Sequence, residues 1–133
     1  MQKPLSDMSF IFSDEINGSY VIELYAGDYV MIEETFEDVL REYDVFVERI
    51  ITTYHEGDAG ALKSAVHKIK PLFGFVGLTT LQAQCLQFEN SCQTKSCPEL
   101  ANAFVSLKKE LLEAKSVIAK EKERLAAFNR LPG

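Results

Sequence analysis

The sequence lacks apolar runs longer than a few residues, far short of the ~20 needed to cross a bilayer, so no membrane insertion is expected. It does not open with a charged segment followed by an apolar stretch, the mark of a secretory leader, and a cytoplasmic location is expected. Base is in short supply: 14 Lys and Arg stand against 20 Asp and Glu, a formal charge of −6. That deficit argues against nucleic acid and anionic lipid as partners, because both attract cationic surfaces. Cysteine is sparse and odd in number, at Cys85, Cys92 and Cys97. Three thiols without an export signal make a poor disulfide framework, and no paired CxxC or Cys/His spacing offers a zinc site. Buried, reduced thiols are expected. Also missing are a P-loop, a kinase-type glycine loop and the Glu-x-x-His pair of di-metal bundles. No ATP site, autokinase activity or bound metal is expected.

What is present is helical periodicity. The chain of 133 residues, 47% hydrophobic and 26% charged, has the size and composition of one globular domain. Residues 1–27 read as a loosely ordered N-terminal arm, from which Phe10, Ile11 and Phe12 could pack onto the body, with a short helix around Ser19 to Tyr25. From Asp28, an N-cap residue type, Tyr29, Ile32, Phe36, Val39, Tyr43, Phe46, Ile50 and Tyr54 recur at spacings of three and four, and Gly57 supplies a stop. A second stripe runs through Leu62, Ala65, Val66, Ile69, Phe73 and Val76, and a third through Leu78, Leu81, Cys85, Phe88 and Cys92. The last, from Ser96 or Cys97 before Pro98, carries Leu100, Phe104, Leu107, Leu111, Ala114, Ile118 and Leu125. No stretch alternates with period two. The pattern predicts an all-α protein: an antiparallel four-helix bundle over residues 28–130, with a short helical arm before it and a long C-terminal helix whose end projects.

One stretch departs from ordinary helix: "AVHKIKPLFGFVG", residues 65–77. At 100° per residue, His67 lies about 150° from the centre of its stripe, so it faces away from the core. Lys63 and Lys70 flank it one turn before and one turn after; Pro71 and Gly74 continue the same exposed face. Lys68 points elsewhere and reads as a solvated surface lysine, and His55 reads as a cap on a helix C-terminus. A neutral imidazole is a good nucleophile at physiological pH, and ammonium groups beside it would pair with a phosphoryl group once attached. The acidic residues cluster in positions 14–58, while Lys63 to Gln87 contains none, so this face suits an acidic partner pocket. Leu72, Phe75 and Leu78 border it as candidate apolar contacts, and Leu72 and Leu78 could equally pack inward. Pro71 has no N–H to give the His67 carbonyl and crowds it, so the helix is expected to bend or open there.

The stretch "AVHKIKPLFGFVGLTTLQAQCLQFEN" resembles the signature of histidine-containing phosphotransfer (HPt) domains. His67, Ile69 and Lys70 occupy its first positions, Gly77 follows ten residues after the histidine, then Leu81, and Glu89 stands at its polar position. Pro71 and Leu72 replace the glycine and small residue usual in the family. The resemblance implies a phosphocarrier of multistep two-component phosphorelays. His67 would be the phosphorylated nucleophile, Lys70 would steady the phosphoryl group and Glu89 would hydrogen-bond near the imidazole. Lys63, Pro71, Leu72, Gly74, Phe75, Gly77 and Leu78 are the candidate partner contacts. The partners implied are receiver domains of hybrid sensor kinases and response regulators, which bring their own Mg²⁺; no cofactor resides on this chain. The rival reading is an HPt-like adaptor that binds such partners without carrying phosphate.

Overall fold

The computed structural model describes residues 9–132, which contain five α-helices, a short 3-10 turn and no strand. Residues 1–8 of the expected arm lie outside the described residues. Helix α1 spans Gly18–Leu24, α2 Tyr29–His55, α3 Ala59–Phe75 and α4 Thr79–Cys92; Pro98–Leu100 form the 3-10 turn that leads into α5, Ala101–Asn129. The first three start where a side-chain oxygen meets an unpaired backbone donor. Asn17 Oδ1 accepts from Tyr20 N at 3.2 Å, Asp28 Oδ1 from Met31 N at 3.0 Å and Asp58 Oδ1 from Ala61 N at 2.9 Å.

The two long helices, α2 and α5, lie antiparallel. Tyr29 near the start of α2 packs edge-on against Phe128 near the end of α5, with ring centroids 5.3 Å apart. Tyr54 near the end of α2 stacks flat on Phe104, at 3.7 Å and 2°. Midway, the buried Tyr43 hydroxyl donates to the Leu111 carbonyl at 2.6 Å. Helix α3 packs on α2, and α4 on α3. The apolar stripes converge on one core that includes Phe36, Ile50, Leu62, Ile69, Phe73, Leu111 and Ile118, all fully buried. Three side chains expected in the stripe of α2, those of Tyr29, Phe46 and Tyr54, are only partly buried at its edge.

Two expectations are corrected. The end of α5 does not project: Asn129 Nδ2 donates to the Tyr29 carbonyl and to Glu33 Oε1, both at 2.9 Å, and Phe128 sits against Phe10. Helix α2 is nearly as long as α5, so the two ends meet. Nor is the described part of the arm loose. Phe10, Ile16 and Val21 are buried, whereas Ile11 is 78% exposed and does not pack inward. The arm is held by a buried carboxylate, Glu121, which accepts from Ser13 N at 2.6 Å and pairs with Arg124. Arg124 in turn donates to the Ile11 carbonyl at 2.8 Å and lies over the Phe10 ring.

Gly77 is where the arm meets the α3–α4 corner. Its φ of +75° is a conformation open mainly to glycine. A Cβ there would overlap Val21 Cγ2 and fall 2.9 Å from Ile16 Cγ2. The close approach lets Asn17 N donate to the Gly77 carbonyl at 2.8 Å. Gly77→Ala is expected to destabilise the protein by about 2–4 kcal/mol, the sum of backbone strain and overpacking, read as a fall in the denaturation midpoint.

All three cysteines are free and buried. Burial raises the Cys85 thiol to about 12 and the Cys92 thiol to about 11 from an ordinary 9.0, and it raises the Tyr43 hydroxyl as well. Each group holds its proton more tightly folded than unfolded, so the stability this contributes is complete below pH 9.0 and lost as the pH climbs towards about 12. The urea midpoint is expected to fall across that window, and Cys85→Ala to make the fall shallower.

Candidate phosphotransfer site

The site is built on the antiparallel α3–α4 hairpin, in a register that sets His67 against Glu89 and Gly74 against Gln82. Glu89 follows Cys85 by one helical turn and lies where the apolar stripe of α4 meets α3, so its carboxylate is buried, with a side chain only 5% exposed. An ionised carboxylate shut off from water is costly unless paired. Both of its oxygens have partners on α3: Oε1 lies 2.7 Å from His67 Nδ1, and Oε2 lies 2.6 Å from Lys70 Nζ. The Lys70 contact is an ion pair whose alignment falls outside hydrogen-bond geometry, so its attraction is chiefly coulombic. Lys70 is itself mostly buried, with 19% of its side chain exposed.

His67 is the opposite case, with 69% of its side chain exposed. A carboxylate can only accept, so Nδ1 carries the hydrogen in the pair and, in the neutral ring, Nε2 keeps its lone pair. The imidazole is therefore fixed by its inner nitrogen and open at its outer one. The Cys85 thiol feels both Glu89 and Lys70, which places it beside the pair, although burial dominates its shift. Lys63 is half-buried, and its charge is felt by the Cys92 thiol, one turn along the hairpin.

Pro71 is exposed, and α3 remains helical past it to Phe75. The helix thus does not open at the histidine as expected. Of the expected apolar contacts, Phe75 is 47% exposed, whereas Leu72 and Leu78 are buried at 8% and 7%. Leu78 packs inward at the start of α4, and Leu72 joins the core while lining a groove with Val39 of α2 and Leu24 of α1. Gly74, expected on the open face, is covered by Gln82, whose Nε2 would stand 2.8 Å from a Cβ at that position. Gly77 is buried beneath the arm and is a joint within the fold rather than a contact surface. From the histidine onward, the exposed residues of α3 are His67, Lys68, Pro71 and Phe75.

The family model described as "Hpt domain" matches residues 34–119. The chain belongs to the Hpt domain family. Among solved structures, the HPT domain of the Hpt sensor hybrid histidine kinase from Shewanella superposes with a TM-score of 0.71. The two are 18% identical, over 90% of this chain and 97% of that one, a likeness of fold. No curated protein matches. Hpt domains are phosphocarrier modules of phosphorelays and have no kinase activity of their own. No helix among the described residues is long and apolar enough to cross a membrane.

Three residues that matter to the geometry escaped the sequence reading: Glu121, Arg124 and Gln82. Glu121 could have been found, since it falls between Ile118 and Leu125 at core spacing. The Glu89 pairing predicts a measurable tautomer. Imidazole ¹⁵N shifts are expected to report His67 protonated at Nδ1 in the neutral form. Glu89→Leu is expected to remove that bias, and Glu89→Gln to retain part of it.

Proposed function

We propose that the protein is a histidine phosphocarrier that takes a phosphoryl group on His67 from the phospho-aspartate of one receiver domain and passes it to the aspartate of another. The observation that carries this reading is the exposed imidazole of His67, 69% open to solvent and backed at Nδ1 by the buried Glu89 carboxylate at 2.7 Å. In the forward step the Nε2 lone pair attacks phosphorus, the N–P bond forms, and the P–O bond to the aspartate breaks with that carboxylate as leaving group. The ring keeps its Nδ1 hydrogen and gains positive charge, which Glu89 stabilises across the hydrogen bond. Reversal of the same step on a second receiver discharges His67.

Lys70 has two roles in this scheme. At rest it neutralises Glu89. Once phosphoryl oxygens arrive, its ammonium is within a side chain's reach of both anions and holds them together. Mg²⁺ and the acidic pocket belong to the receiver, and this chain supplies the positioned nucleophile and the docking face. Lys68, exposed beside His67, and Lys63, half-buried one turn before it, add positive potential towards that pocket. The protein works as a cytoplasmic carrier between hybrid sensor kinases and response regulators.

The adaptor alternative gives a different result in one assay. On incubation with a phosphorylated receiver, the protein is expected to gain an acid-labile, base-stable label that is absent from His67→Gln. Lys70→Ala is expected to slow labelling on the order of tenfold or more, as for loss of one charge-stabilising donor. Binding without any label, across all receivers of the source organism, would leave the adaptor as the function.

A further inference from the structure

Of the four seams in the bundle, the one between α4 and α5 is the most sparsely packed. Two hollows run along it and meet at Gln84. Together they follow α5 from Ala103 to Val117, a rise of ~21 Å, and they are lined by apolar groups of the core and its edge, Leu81, Phe88, Ala114 and Val117. The end towards the α3–α4 corner is acidic. Glu110 and Glu113 of α5 and Asp14 and Glu15 of the arm line it, all of them exposed. None of these carboxylates is in an ion pair among the described residues, and no basic side chain lines either hollow. The first turn of α4 also borders this end, and Leu78 gives it no side-chain cap. A helix start carries only about half a positive charge, so the carboxylates outweigh it and the groove favours cations. No residue of α2 or α3 lines it, and it shares nothing with the face around His67.

We infer that this seam is a docking groove for a short extended segment of a protein partner, one that alternates apolar side chains with Lys or Arg. Three features argue for that occupant. The first is continuity with chain already seated there. The arm closes the near end of the seam with irregular backbone, burying Ile16 at 5% and giving a hydrogen bond from Asn17 N to the Gly77 carbonyl at 2.8 Å. A partner segment extends that seat along α4 and α5. The second is length: ~21 Å accommodates about six residues of extended chain at ~3.3 Å each. The third is charge. Alternation turns every second side chain down to Leu81, Phe88 and Ala114 and leaves the bases between them at the rim, beside Glu110 and Glu113. Backbone carbonyls of the same segment suit the uncapped donors of α4 without bringing negative charge to the rim. Because the groove and the nucleophile lie on different faces, a partner tethered here leaves His67 open to a second protein. Nothing in this inference requires phosphate on His67.

The experiment titrates three hexapeptide amides into the ¹⁵N-labelled protein: one alternating Lys with Leu, one Glu with Leu and one Lys with Ser. The Lys/Leu peptide is expected to shift the backbone amides of Thr80, Leu81, Gln84, Glu110 and Glu113, and to bind on the order of tenfold more tightly than either of the others. The imidazole resonances of His67 are expected to stay in place. Glu110→Lys combined with Glu113→Lys changes two exposed side chains, and helical content checks that this variant folds. It is expected to weaken the Lys/Leu peptide on the order of tenfold, with a deficit that shrinks at high salt. Equal binding of the Lys/Ser peptide, or shifts centred on the acidic α2, would mean that net charge alone is read and would overturn the groove. So would no binding of the Lys/Leu peptide, or a double variant within about twofold of wild type. Shifts at His67 would overturn the separation of the two faces.

Discussion

A carboxylate buried between two helices, with a base held to each oxygen, is the constraint on which the rest of this site depends. Glu89 is withdrawn from water, so its charge is tolerable only while Lys70 and His67 remain against it. That condition fixes how α3 and α4 lie together, because a slip of one residue would carry Glu89 away from both partners. It also explains a histidine that is exposed yet oriented. Most surface imidazoles rotate freely, whereas this one is anchored through Nδ1 and turned outward through Nε2. Rigidity and access, which usually oppose each other, are assigned to different nitrogens of one ring.

The same device appears a second time, for a structural purpose. Glu89 and Glu121 are the two buried charged side chains among the described residues. Glu121 is satisfied by Ser13 N and Arg124, and in satisfying it the chain fastens the arm to α5. The arm then closes over Gly77 at the α3–α4 corner and reaches the Phe75 carbonyl through Tyr25. The bundle and the site are therefore one mechanical unit, with the arm bridging the last helix and the end of the hairpin that carries His67.

Helix number, order and polarity were legible in the sequence because the apolar stripes recur at three and four, and because Asp28 and Gly57 are residue types that start and stop helices. The outward direction of His67 followed from angular position alone. The pairing with Glu89 came from the family signature, and no helical wheel drawn on α3 contains it. What could not be read was which side chains near the histidine are covered. Gly74 was placed on the open face from its angular position, Gly77 was counted among the partner contacts, and Leu72 and Leu78 were left open between face and core; α2, α4 and the arm decide their exposure. Of the bend or opening expected at Pro71, the opening does not occur, for a related reason. It removes one hydrogen bond, yet the surrounding packing holds α3 in register to its end. The arm was misjudged because its anchors, Glu121 and Arg124, lie more than a hundred residues away in the chain.

That separation has a kinetic consequence. The hydrogen bond from Ser13 to Glu121 spans 108 positions, while the α3–α4 hairpin closes over a few residues. Local hairpins close early because little chain entropy is lost, and the longest closure comes late. Assembly is thus expected to finish at the amino-terminal strap, and spontaneous opening to begin there. The nucleophile would keep its shape through such fraying, while the contact of Tyr25 with the Phe75 carbonyl would come and go.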